Sequence, residues 1–97
     1  MGLLIDKKTS EDKLIVSLTG RLDTVTAPDL EKELNDISSI NSIIIDMTNL
    51  EYISSAGLRI ILKMQKALKG NLTLINVKPL VKEVFDITGF SEFLNIQ

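Results

Sequence analysis

From residue 20 onward the chain alternates two kinds of apolar pattern, and that alternation limits what it can fold into. Ser42-Ile-Ile-Ile-Asp-Met47 is a short β-branched run of the sort found in a central strand covered on both faces. Asn71-Leu-Thr-Leu-Ile-Asn-Val77 is a second strand-like run, and Phe93-Leu-Asn-Ile96 a short third. Helical spacing lies between them. Leu30, Leu34 and Ile37 recur at helical intervals, with Glu31, Lys32, Glu33 and Asp36 on the other side; Ser38 and Ser39 close the segment. From Ser55 to about Lys69, Leu58, Ile61, Leu62, Met64 and Leu68 form one face, with Arg59, Lys63, Lys66 and Lys69 outside it. Leu80, Val81, Val84, Phe85 and Ile87 repeat the pattern after Pro79. Strands separated by helices call for crossover connections and a largely parallel sheet.

Breakers and caps set the predicted boundaries. Thr26-Ala-Pro-Asp29 reads as a helix start, with Thr26 as cap, Pro28 in the first turn and Asp29 near the positive end of the helix dipole. Gly70 and Gly89 stop the second and third helices. Before the first helix, Leu3-Leu-Ile5 and Lys13-Leu-Ile-Val-Ser-Leu-Thr19 flank the polar segment Thr9–Asp12, which predicts an antiparallel pair of strands ending where Gly20 breaks the pattern. The predicted order is β-β-α-β-α-β-α-β, an α/β fold with a mixed, largely parallel sheet. The 97 residues, 44% hydrophobic and 25% charged, are expected to form one globular domain spanning 1–97.

Composition removes several classes of chemistry. There is no cysteine, hence no disulfide or thiolate metal site, and no histidine, the commonest general base and metal ligand. A net charge of −2 gives no basic footprint for nucleic acid or for an anionic membrane. Apolar runs of a few residues fall far short of the roughly 20 that span a bilayer. Met1-Gly-Leu-Leu-Ile-Asp6 lacks a basic n-region, and Asp6 occupies the place where a myristoylation signal has Ser or Thr. The expected location is cytoplasmic, without membrane insertion. Serine nucleophile chemistry needs an adjacent base and an oxyanion site, and no Gly-x-Ser-x-Gly elbow occurs. Gly57–Gly70 is no Walker A loop, and the carboxylates follow no metal-binding spacing. The chain is expected not to be an enzyme and to need no cofactor.

The stretch that bears on function is Asp46-Met-Thr-Asn-Leu-Glu-Tyr-Ile-Ser-Ser-Ala-Gly-Leu58, read as strand, loop (Thr48–Ile53) and helix start. Two readings of Ser54-Ser55 stand. A serine before a helix caps it by accepting a first-turn N–H. A serine at a helix N-terminus is also suited to carry phosphate, since orphan N–H groups and the dipole favour an anion there. Gly57 can simply allow close packing on the preceding strand. Asp23 is a turn former or a partner contact. Asp46, expected at a strand end, pairs with loop N–H groups or lies near Ser55. Arg59 and Asn49, placed at the same end of the sheet, are solvated surface or partner contacts.

This stretch resembles the signature of the STAS domain, which reads roughly Asp, apolar, Ser/Thr, any, Leu/Val, any, aromatic, apolar, Asp, Ser, Ser/Ala, Gly, Leu/Val. Leu18-Thr-Gly-Arg-Leu-Asp23 with Thr26-Ala27, and Phe85-Asp-Ile-Thr-Gly-Phe90, resemble flanking parts of the same family. The resemblance implies the STAS fold and the role of a bacterial anti-sigma factor antagonist. It implies phosphorylation at Ser55, with Ser54 as second choice, and a partner surface including Asp23, Asn49, Ser54, Gly57 and Arg59. The implied partners are an anti-sigma factor kinase of the histidine-kinase-like ATPase type and a PP2C-type phosphatase. The family's usual Asp before the acceptor is Ser54 here, which removes a negative charge and adds a hydroxyl. A non-phosphorylated STAS subunit of an ABC-type transport complex, and a module sensing a nucleotide or other small molecule, are the alternatives. The apolar residues have core roles in this reading, so a monomer is expected.

Overall fold

The computed structural model describes residues 2–34 and 40–97. Its elements are β1 (Leu3–Ser10), β2 (Lys13–Leu22), α1 (Ala27–Glu33), β3 (Ser42–Ile53), α2 (Ser55–Ala67), β4 (Leu72–Ile75), α3 (Pro79–Thr88), a 3₁₀ turn (Phe90–Glu92) and β5 (Asn95–Ile96). The order is the one expected. One five-stranded sheet runs β1-β2-β3-β4-β5, with β1 and β2 antiparallel and the other pairs parallel. The fold is α/β with a mixed, largely parallel sheet. Asp36, Ile37, Ser38 and Ser39, assigned above to the first helix and its end, lie outside the described residues.

The strand order advances in one direction, so right-handed crossovers place the helices on one face of the sheet. Burial follows. Leu14, Ile43 and Leu72 lie side by side across β2, β3 and β4, as do Val16, Ile45 and Leu74, and all six are buried. The alternate residues are only half-buried: Ile15, Ile44 and Thr73 in one row, Ser17, Asp46 and Ile75 in the next. This corrects the expectation that Ser42–Met47 is covered on both faces. The run is apolar, yet Ile44 looks out from an open sheet face. Buried residues of the helices complete the core, chiefly Leu30, Leu58, Ile61, Met64, Val81 and Phe85.

Three further expectations change. β2 does not stop at Gly20; with φ +107 there the strand shifts register and continues to Leu22. The segment Thr48–Ile53 is not a loop. After a register shift opposite Leu18 it continues β3, pairing Asn49 with Thr19, Tyr52 with Arg21 and Ile53 with Leu22. Only part of the apolar face expected for α3 is buried: Leu80 and Ile87 are 74% and 77% exposed, and Phe93 beyond it 61%. Val81 and Phe85, one turn apart, are the residues that reach the core. The premise that all apolar residues have core roles therefore fails.

Candidate functional site

β3 runs into α2 with a single residue, Ser54, between them. Its backbone is extended (φ −103, ψ 175), and its Oγ accepts from the Gly57 N–H at 3.4 Å, satisfying one first-turn donor. Its own N–H donates to the Leu22 carbonyl at 2.9 Å, and its carbonyl accepts from the Leu58 N–H at 3.0 Å. Ser54 is thus both cap and clasp, tying the start of α2 to the end of β2. It is half-buried. Ser55 is the first helical residue and is exposed. The two hydroxyls have different settings: one is spent on the cap, the other faces solvent at the positive end of the helix.

Gly57 explains how helix and strands approach so closely. A Cβ there would sit 2.7 Å from Leu22 Cγ and 3.0 Å from Ile53 Cγ1. Leu22 and Ile53 are paired across β2 and β3 and are buried, so neither has room to withdraw. Gly57 is itself buried and shapes the junction without presenting a side chain.

The turn between β2 and α1 is a closed hydrogen-bond network. Asp23 Oδ1 accepts from the N–H groups of Val25 (3.0 Å) and Thr26 (3.1 Å) and lies 3.2 Å from Thr26 Oγ1. The Asp23 N–H donates to Thr26 Oγ1 at 2.8 Å, and that hydroxyl donates to the Arg21 carbonyl at 2.8 Å. Thr26 precedes α1, as expected, but makes no side-chain cap; its hydroxyl is turned into the turn instead. The Thr26 N–H is the main cause of a carboxyl pKa held below the ordinary 3.8, with Thr26 Oγ1, the Val25 N–H and Arg21 adding to it. The turn-forming reading of Asp23 fits this geometry, and its Oδ2 lies 3.6 Å from Arg21 Nε. Arg21 also lies over Tyr52, 4.2 Å from the ring centroid.

Asp46 is in mid-strand rather than at a strand end. Its Oδ1 accepts from the Thr48 N–H (3.0 Å), Thr48 Oγ1 (2.5 Å) and Asn76 Nδ2 (3.2 Å). The hydroxyl of Thr48 is the largest cause of its lowered pKa. Seven residues of strand, roughly 23 Å, separate it from Ile53, so Asp46 braces the register shift and does not sit beside Ser55. Asn49 is exposed and lies roughly 16 Å along the strand from Ser54. Arg59 is exposed one helical turn beyond Ser55.

The structure therefore gathers Ser54, Ser55, Gly57 and Arg59 at the start of α2, with the Asp23 turn following the Leu22 carbonyl that Ser54 clasps. Asn49 and Asp46 lie further down β3. Sequence reasoning missed two exposed apolar residues, Val25 in the Asp23 turn and Leu80 at the start of α3. Leu80 borders an open cleft of about 320 Å³ with Glu51, Lys78 and Pro79. No sequence pattern distinguishes these two from core residues. Among the described residues, no group of three or more His, Cys, Asp or Glu side chains could hold a metal ion, and no helix is long and apolar enough to cross a membrane.

Residues 5–97 match the STAS domain. BtrV of Bordetella bronchiseptica, which carries the name of an anti-sigma factor antagonist, is 40% identical over 93% of this chain and 80% of its own length. The anti-sigma-B factor antagonist of Staphylococcus epidermidis is 30% identical over 99% of this chain and 94% of its own. The fold is similar to that of the anti-sigma factor antagonist SpoIIAA. Its unphosphorylated form matches with a TM-score of 0.84 at 19% identity, over 97% of this chain and 88% of that one. The phosphorylated form of the Bacillus protein matches with 0.76 at 18% identity, over 97% and 91%.

Proposed function

This chain belongs to the STAS domain family, and from that premise we propose that it is an anti-sigma factor antagonist whose partner binding is switched by phosphorylation of Ser55. The observation that carries the reading is the division of labour at the β3–α2 junction. Ser54 is spent on the cap, while Ser55 stands exposed at the first helical position. Relatives matched over 80% and 94% of their own length carry the antagonist name, which supports the choice of partner class. That SpoIIAA has been solved with and without phosphate supports a phosphorylated state on this fold.

In this reading the unphosphorylated chain binds an anti-sigma factor and so frees the sigma factor. The anti-sigma factor is itself a kinase of the histidine-kinase-like ATPase type. The Ser55 oxygen bonds to the γ-phosphorus of ATP, the bond to the bridging oxygen breaks, ADP leaves and the hydroxyl proton passes to a kinase base. The product adds about −1.5 to −2 of charge at a helix N-terminus, where it leaves the helix intact and alters what a partner meets. A PP2C-type phosphatase returns the hydroxyl by hydrolysis. Ser54 is the second-choice acceptor, since its oxygen must leave the cap first. The partner surface centres on Ser55 and takes in Ser54, Gly57, Arg59, Asp23 and Asn49, with Gly57 contributing shape alone. The chain acts in the cytoplasm as a binding module and a kinase substrate, not as a catalyst.

The test is capture from native lysate with wild type, Ser55→Ala and Ser55→Asp as baits, with bound proteins identified by mass spectrometry. Wild type and Ala should retain a small ATPase of the histidine-kinase type, and Asp should lose it. Equal retention by Asp overturns the switch. Capture of the same transporter subunits by all three baits would replace this reading with that of a STAS subunit in a transport complex.

A further inference from the structure

Charge is distributed unevenly along this chain. It has eleven basic and thirteen acidic residues; four of the eleven (Arg59, Lys63, Lys66 and Lys69) and none of the thirteen fall within 55–69, leaving seven basic against thirteen acidic elsewhere. α2 and its end thus carry +4 on a molecule that is otherwise −6. At 100° per residue, Ser55, Arg59, Lys63 and Lys66 fall within an arc of about 80° on one side of the helix and span about 16 Å along it. All four are exposed, opposite the face that buries Leu58, Ile61 and Met64. Lys63 is held by Glu31 of α1, 2.5 Å away.

We propose that Arg59, Lys63 and Lys66 form a basic docking stripe continuous with Ser55, which steers the chain onto an acidic patch of its anti-sigma factor. The inference rests on the antagonist reading above and deepens it. A compact acidic protein surface fits the stripe better than a polyanion does. α1 packs against α2 and sets Glu31 against Lys63 at the edge of the stripe, and the chain outside 55–69 carries −6, so an extended array of phosphates would be repelled beyond the stripe. A short acidic patch meets only the stripe. The position of Ser55 at its head gives the switch an electrostatic lever. Three positive side chains attract the partner, and a phosphate of about −1.5 to −2 at one end cancels about half to two-thirds of that charge. The attraction should be strong at low salt and fade as the Debye length shrinks below about 10 Å.

The experiment measures association and dissociation rates against the anti-sigma factor captured by the wild-type bait, at several salt concentrations. The variants are Arg59→Glu with Lys66→Glu, and Glu31→Gln. The double reversal should lower kon at least about tenfold at low salt and flatten its salt dependence. Glu31→Gln, which removes a negative neighbour and releases Lys63, should raise kon about twofold. Both changes are at the surface, and circular dichroism with thermal melting verifies that the variants are folded. Unchanged kon and salt dependence in the double reversal overturn the stripe while leaving the antagonist reading intact. So does a result in which only binding to phosphatidylglycerol vesicles or duplex DNA responds, which would assign the stripe to a polyanion. If wild type captures no anti-sigma factor, the antagonist reading falls and the stripe falls with it.

Discussion

Ser54 and Ser55 are adjacent and chemically identical, yet they do different work. Ser54 supplies the oxygen that satisfies Gly57 N–H and is clasped to Leu22; Ser55 has its side chain in solvent. The difference is one of backbone conformation, since the cap residue is extended and the next is helical. Replacing Ser54 by Ala should cost about 1 kcal/mol, within the usual 0.5–2 for a lost cap. In a domain of this size that lowers Tm by about 4–8 °C. Ser55→Ala should leave Tm within about 2 °C, because an exposed first-turn position loses no cap and Ala favours helix. Thermal unfolding followed by circular dichroism separates the two; equal losses would refute the division of labour.

At the scale of the element, the instructive case is β3. Its polar second half, Thr48-Asn-Leu-Glu-Tyr-Ile53, resembles a loop because apolar residues there are no longer alternate. Two register shifts account for this: one extra residue opposite Leu18 lets Met47 and Leu50, three apart, both face inward, and a second, between Gly20 and Arg21, does the same for Leu50 and Ile53. Asp46 braces the first shift by accepting the N–H and the hydroxyl of Thr48, and it reaches Asn76 beyond β4. Asp46→Ala should destabilise by about 0.5–1.5 kcal/mol, the net worth of a hydrogen bond whose donors, here on Thr48 and Asn76, are exposed and can turn to water. Asp46→Asn, whose amide oxygen can still accept, should cost less than half as much. Urea unfolding gives both values, and equal costs would mean that the charge, rather than the acceptor, matters.

At the scale of the whole molecule, the carboxylates set the pH limits. Asp23, Glu33, Asp46 and Asp86 all have pKa values below their ordinary ones, held there chiefly by Thr26, Lys7, Thr48 and Ser91 in turn. A lowered folded pKa contributes stability above the unfolded pKa, and that stability is lost as pH falls through the folded value. The chain contains no histidine to titrate near neutrality. The urea midpoint should therefore be nearly flat between about pH 5.5 and 8 and fall steadily below about pH 4. A midpoint that rose on acidification would contradict the sign of all four shifts.

The order of elements, the parallel sheet and the cap before α2 could be read from the chain because each depends on neighbours within a few residues: an apolar period, a breaker, a hydroxyl ahead of a helix. So could the chemistry that the chain lacks, with neither cysteine nor histidine. Tertiary structure alone decided which faces are covered. Ile44 looks out and Ile45 in because crossovers of one hand put every helix on one side of the sheet. Leu80 and Ile87 are exposed while Val81 and Phe85 are buried because only one face of α3 meets the sheet. Gly57 is required by Leu22, thirty-five residues earlier, whose side chain fills the space a Cβ would need. A local pattern records what a residue can do beside its neighbours; which residues come to be its neighbours in space is fixed only when distant segments pack.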